Sequence, residues 1–135
     1  MDWWESVIAG IRRDCGGSAK DDGRTIPCYR LCILHVVATP ELVFQRVQRR
    51  AEQTGRMVPL AMVRETLATV PQSVAKLAPL VDVWATIDTT GREPRLIEWS
   101  SGGRVMTIHA DSAAPVADGA WARLLFAITK PAAKI

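Results

Sequence analysis

Cysteine is scarce: Cys15, Cys28 and Cys32 are the whole complement of a 135-residue chain. So odd and sparse a set excludes a small disulfide-stapled scaffold and predicts reduced thiols in an intracellular, cytoplasmic protein. No apolar run approaches the roughly 18–20 residues of a membrane helix, so no membrane partner is expected. The opening Met1-Asp2-Trp3-Trp4-Glu5 is acidic and aromatic where a signal peptide is basic and then apolar. Repeats and low-complexity tracts are missing, which excludes solenoids and tethers. Neither charge sign dominates, since 17 Lys+Arg stand against 14 Asp+Glu for a net +3. That excess does not by itself support a nucleic-acid partner. The five tryptophans are also not interleaved with basic residues, as a base-stacking platform requires.

What is present suits an ordinary globular protein. Hydrophobic residues make up 48% and charged residues 23%, and residues 1–135 are long enough to bury one core as a single domain. Asp2 to Arg13 predicts a short helix, with Trp3, Trp4, Val7, Ile8 and Ile11 at helical spacing. Residues 14–27 are polar and rich in Gly, Asp and Lys, which predicts a flexible loop. Tyr29 to Val37 is apolar nearly throughout and predicts a central strand covered on both faces.

Helix signals follow at once. Thr39 can act as N-cap, Pro40 suits the first helical position, Glu41 favours the positive end, and Gly55 offers a left-handed stop after about Gln53. Beyond Pro59, the residues Leu60, Val63, Leu67, Val70, Val74, Leu77 and Val81 form an apolar stripe. Pro71 interrupts it and predicts a kink or two shorter helices. Val81 to Asp88 is a second strand and Thr89 to Pro94 a turn. Leu96–Trp99 and Val105–His109 are short strands around a Ser100–Gly103 turn, and Asp118–Thr129 is a last helix. This order predicts a three-layer α/β/α fold with a mostly parallel sheet.

Arg46, Arg49, Arg50 and Arg56 form the most informative cluster. Arg46 and Arg50 share one helix face, where like charges cost about 0.2–0.5 kcal/mol per pair. Two planar forks followed by the hinge-like Thr54-Gly55-Arg56 are what a phosphate-gripping lid requires. The competing reading is a solvated helix face relieved by Glu41 and Glu52.

Two longer elements sharpen the choice. Leu34-His35-Val36, Thr39-Pro40-Glu41, Arg46 and Arg50-Ala51-Glu52-Gln53-Thr54-Gly55-Arg56-Met57-Val58-Pro59 form the first. Val70-Pro71-Gln72-Ser73-Val74-Ala75-Lys76-Leu77-Ala78-Pro79-Leu80-Val81-Asp82 forms the second. In this order they resemble zeta-toxin-like P-loop kinases of the eukaryotic zeta-toxin-domain type, over residues 29–98. The resemblance implies an incomplete P-loop-kinase-like sheet and transfer of the γ-phosphate of ATP or GTP, with Mg²⁺, to a small molecule. It also implies that Arg46, Arg50 and Arg56 lie on the lid side and neutralise phosphates.

The chain departs from that family in one decisive respect. A P-loop reads G-x-x-x-x-G-K-[ST] after a strand, and no Gly-Lys pair occurs here. Gly16-Gly17-Ser18-Ala19-Lys20 has the wrong spacing, and Asp21 and Asp22 would repel phosphate. The chain therefore reads as the C-terminal half of a kinase, inactive alone, with a homodimer or a missing N-terminal half as expected partners. The alternative is a non-catalytic interaction module that kept the fold and lost the chemistry.

Other candidates weaken on inspection. Along a strand Cys28 and Cys32 lie about 13 Å apart at roughly 3.3 Å per residue, too far for a shared zinc ion or a mutual disulfide. Buried or half-buried thiols are the expectation, and His35 reads as a hydrogen-bonded core histidine. His109 has no nucleophile near it in sequence, and no G-x-S-x-G supports a triad. Asp88, at the carboxyl end of a strand, is a possible site residue by position; the competing reading has it capping the following turn.

Overall fold

A computed structural model describes residues 3–14, 28–107 and 119–129. In chain order these form α1 (Trp3–Asp14), β1 (Cys32–Val37), α2 (Pro40–Thr54), α3 (Leu60–Leu77), β2 (Val83–Asp88), β3 (Arg95–Ser101), β4 (Arg104–Thr107) and α4 (Ala120–Thr129). A single 3₁₀ turn, Ala78–Leu80, links α3 to β2. The expected loop at 14–27 lies outside the described residues apart from Asp14, which ends α1. His109 and the Gly16–Lys20 segment lie outside them too.

The four strands form one mixed sheet in the order β1-β2-β3-β4. β1 and β2 are parallel in the register Cys32↔Val83 to Val37↔Asp88, with α2 and α3 as their connection. This is the adjacent parallel pair that the sequence predicts. The sheet is not mostly parallel, however: β2–β3 and β3–β4 are both antiparallel. The reason is chain length, because a parallel neighbour needs a crossover of a dozen or more residues and Thr89–Pro94 is a short turn. The β3–β4 hairpin turns on Gly102 and Gly103 at φ 62 and 80, the left-handed pair that a two-residue primed turn demands.

The core gathers on β2 and β3. Val83, Ala85, Ile87, Leu96 and Trp99 pack under Leu124 and Ala127 of α4, with Met106, Trp121 and Ile128 alongside. Residues facing each other in register share a face, so Cys32, Leu34 and Val36 continue this same face onto β1. There the cover stops. Leu34 is 53% and Val36 59% exposed, which corrects the expectation that β1 is covered on both faces. The apolar run was a sound signal for a strand but not for a central one; α4 reaches β2 and β3 while β1 ends the sheet. His35, on the other face of β1, is half-buried and stands outside the buried core.

The helix signals fare unevenly. Gly55 closes α2 at φ 70, its N–H donating to Ala51 O at 2.8 Å, as its sequence position predicts. Thr39 occupies the N-cap with its carbonyl accepting from Val43 N at 3.0 Å, yet its hydroxyl caps nothing. Its own amide donates instead to Thr90 Oγ1 at 3.1 Å. Pro71 does not divide α3, which runs unbroken from Leu60 to Leu77. A mid-helix proline costs about 3 kcal/mol, and partial burial of the stripe at Val63, Leu67, Val74 and Leu77 offsets it. Gln72 Nε2 also reaches back to Ala68 O at 3.3 Å, beside the bond that Pro71 cannot donate.

Asp82 pins the amino ends of the parallel pair. Its Oδ2 accepts the Leu31 amide at 2.8 Å and pairs with Arg12 of α1 at 2.9 Å. Its backbone N–H donates to Leu31 O at 2.9 Å. Desolvation pushes this carboxyl up, but the Leu31 amide and then the Arg12 guanidinium outweigh it and hold it below its ordinary range. A depressed carboxylate contributes stability that is present above the unfolded value near pH 3.9 and is lost as pH falls through the folded one. Asp82→Asn is therefore expected to cost about 1–2 kcal/mol at neutral pH, read by urea melts. The gap between variant and wild type should narrow as pH falls below the ordinary carboxylate range and through the lowered folded value; a gap that is constant with pH would refute the ionic account.

Candidate functional site

The carboxyl ends of β1 and β2 meet α2 at one residue, Thr89. Its amide donates to Val37 O at 2.8 Å and its hydroxyl to the same oxygen at 3.1 Å, extending the parallel ladder one step past β2. Arg46 then closes over it. One guanidinium nitrogen reaches Thr89 Oγ1 at 3.0 Å and the other reaches Thr89 O at 2.7 Å. A planar fork on two oxygens is a geometry arginine has and lysine lacks. The strand order brings Thr89 beside Val37, and the helical repeat of α2 turns Arg46 toward it.

Beside this tie lies a cleft of about 270 Å³, walled by Val36, Val37 and Ala38 at the end of β1 and by Val43 and Val47 of α2. Arg46, Arg50 and Thr89 supply its polar lining. Arg50 sits one helical turn beyond Arg46, and among the described residues its guanidinium has no hydrogen-bond or ion-pair partner. Its own carbonyl accepts the Thr54 hydroxyl at 2.7 Å. Two of the three expected phosphate-binding arginines thus share one concave, solvent-facing region. Arg56 does not line it; past Gly55 its amide donates to Thr54 Oγ1 at 3.4 Å and its side chain is exposed.

Asp88 has local work. Its Oδ1 accepts the Thr90 amide at 2.8 Å, so it caps the turn that leaves β2. Hydrogen bonds from the Thr90 hydroxyl and then its amide hold the carboxyl below its ordinary range. Thr89 and Thr90, which bind Arg46, Val37, Thr39 and Asp88 between them, were not singled out by sequence reasoning. A Thr-Thr-Gly run after a strand reads as a turn, and only the register shows what its hydroxyls meet.

The cysteines divide. Cys32 is a free thiol but an exposed one, which corrects the expectation of a buried or half-buried side chain there; partial burial raises its pKa, Arg30 opposes this and Asp82 adds to it. Cys28 is disulfide-bonded, to a partner outside the described residues, which corrects the expectation of a reduced, buried or half-buried thiol there. Reach along a strand had addressed pairing with Cys32 alone. Among the described residues no three His, Cys, Asp or Glu side chains gather to hold a metal ion. None of their helices is long and apolar enough to cross a membrane.

No family model, curated protein or solved structure matches the chain.

The two cleft arginines should separate on substitution. Arg46→Gln loses both bonds to Thr89 and is expected to cost about 0.5–1.5 kcal/mol by urea denaturation. Arg50→Gln relieves repulsion and is expected to be neutral or slightly stabilising, by up to about 0.5 kcal/mol. Equal costs at both positions would mean that the Thr89 tie is not what holds α2 to the sheet.

Proposed function

We propose that the chain is a phosphate- or nucleotide-binding domain of three-layer α/β/α, P-loop-kinase-like type, corresponding to the C-terminal half of a zeta-toxin-like small-molecule kinase. The observation that carries this reading is Arg46 and Arg50 in one cleft at the carboxyl ends of two parallel strands. Open α/β sheets gather ligands at those ends. Guanidinium forks grip phosphate oxygens, and two on one helix face concentrate charge that an anion relieves. Arg46 is already oriented by Thr89, and Arg50 keeps its donors for a ligand. The phosphates of ATP or GTP rest against these two side chains; Arg56 assists only if the turn at Gly55 folds it inward.

Catalysis is not part of this reading. The sequence has no Gly-Lys pair to cradle β- and γ-phosphates, and Asp88 spends its carboxylate on Thr90. Given ATP and Mg²⁺, the purified chain should neither hydrolyse nucleotide nor phosphorylate UDP-linked sugars above background. Turnover that survives a second purification step would contradict this.

A second reading, a non-catalytic interaction or dimerisation module, is favoured by a different observation. Among the described strands β1 ends the sheet, with Leu34 and Val36 largely exposed, and an apolar edge of that kind invites pairing with another chain. One experiment distinguishes the two. With millimolar phosphate or ATP, the wild type should gain thermal stability, the gain should shrink at high salt, and Arg50→Gln should lose most of it. Equal responses of both proteins would remove the anion site. A mass that rises with concentration, with no response to ATP, would leave the interaction module.

A further inference from the structure

A second cleft lies between α2 and α3 and takes no part in the phosphate reading. Its volume is about 400 Å³, within the range of small-molecule pockets. Phe44, Val47, Met57 and Leu60 give it apolar walls, and Met57 and Leu60 are 85% and 55% exposed. Arg64 is the one charged side chain in its lining, and no acid lines it. The Arg64 guanidinium stands 5.9 Å from the centre of the Phe44 ring, and among the described residues no carboxylate pairs with it. Glu52 accepts from Gln48 Nε2 at 3.3 Å and is not part of the lining.

The backbone adds positive charge at the same place. Leu60 opens the 18-residue helix α3, whose N-cap is Pro59, with no side chain able to cap it. Its first turn holds no acid. The positive end of a long helix is therefore unneutralised beside the cleft. Apolar walls, a free cation and an uncapped helix start are complementary to a molecule with an apolar body and a single negative charge.

We propose that the α2–α3 cleft binds a small amphiphilic carboxylate, its hydrocarbon body against Phe44, Val47, Met57 and Leu60 and its carboxylate on Arg64 at the start of α3. Val47 alone is shared with the Arg46–Arg50 cleft, and neither site depends on the other.

Octanoate, octanol and octyltrimethylammonium, each below its micelle concentration, test this on the full chain, read by the Met57 methyl signal and by calorimetry. Octanoate should saturate at one per chain, with octanol and the cation about tenfold weaker or more, the step one charged hydrogen bond supplies. Arg64→Gln should weaken octanoate about tenfold and leave octanol unchanged. Arg49→Gln removes the same charge from exposed α2, outside either cleft, and should leave octanoate binding as it was. The proposal fails if octanoate does not bind or does not saturate, or if octanol binds equally well. It fails also if Arg64→Gln has no effect, or if Arg49→Gln weakens octanoate as much as Arg64→Gln does.

Discussion

Among the described strands β1 has no neighbour but β2, so the parallel ladder from Cys32↔Val83 to Val37↔Asp88 is what holds β1 to the rest of the sheet. Six residue pairs are a modest ladder, and both of its ends are reinforced from outside the strands. Asp82 gathers Leu31 and Arg12 at the amino end. Thr89 gathers Val37 and Arg46 at the carboxyl end. The two clamps differ in kind. The first is a half-buried carboxylate that depends on its charge; the second is a hydroxyl and a carbonyl held by a fork. Each also recruits a helix, α1 in one case and α2 in the other, so helix placement and strand pairing are fixed by the same few atoms.

Much of this was legible in the residues. Pro40 and Gly55 bracket α2 because a fixed φ suits a helix start and a positive φ suits its stop. Gly102-Gly103 marks the hairpin because a primed turn needs left-handed residues. The adjacency of β1 and β2 follows from strand, helices and strand in succession. What sequence could not supply was position within the sheet. Tyr29–Val37 is as apolar as a central strand, yet its place at the edge is decided by where α4 docks, far along the chain. Pro71 shows the same limit, since a local penalty was outweighed by burial that only the packed stripe reveals.

The candidate site was half legible. Helical spacing put Arg46 and Arg50 on one face, and they do share a cleft. Their different employment was not visible, because it rests on Thr89 standing opposite one of them and not the other. The α2–α3 cleft was hidden for another reason. Its lining comes from two helices and the segment joining them, and of its apolar residues the sequence pattern had placed only Leu60, on the stripe of α3. α2 thus carries two clefts on neighbouring flanks, one lined by two cations and one by hydrocarbon with a single cation at its rim.

Among the described strands the two margins of the sheet are unequal. β4 spans four residues, begins at Arg104 and is tethered to β3 by a tight hairpin, whereas β1 presents six residues without lysine, proline or bulge. Short charged margins resist extension and long apolar ones accept it. A molecule with one receptive margin can be capped once. Two such copies meeting β1 to β1 would exhaust each other's capacity, so growth by strand addition stops at a pair where two receptive margins would propagate a fibre.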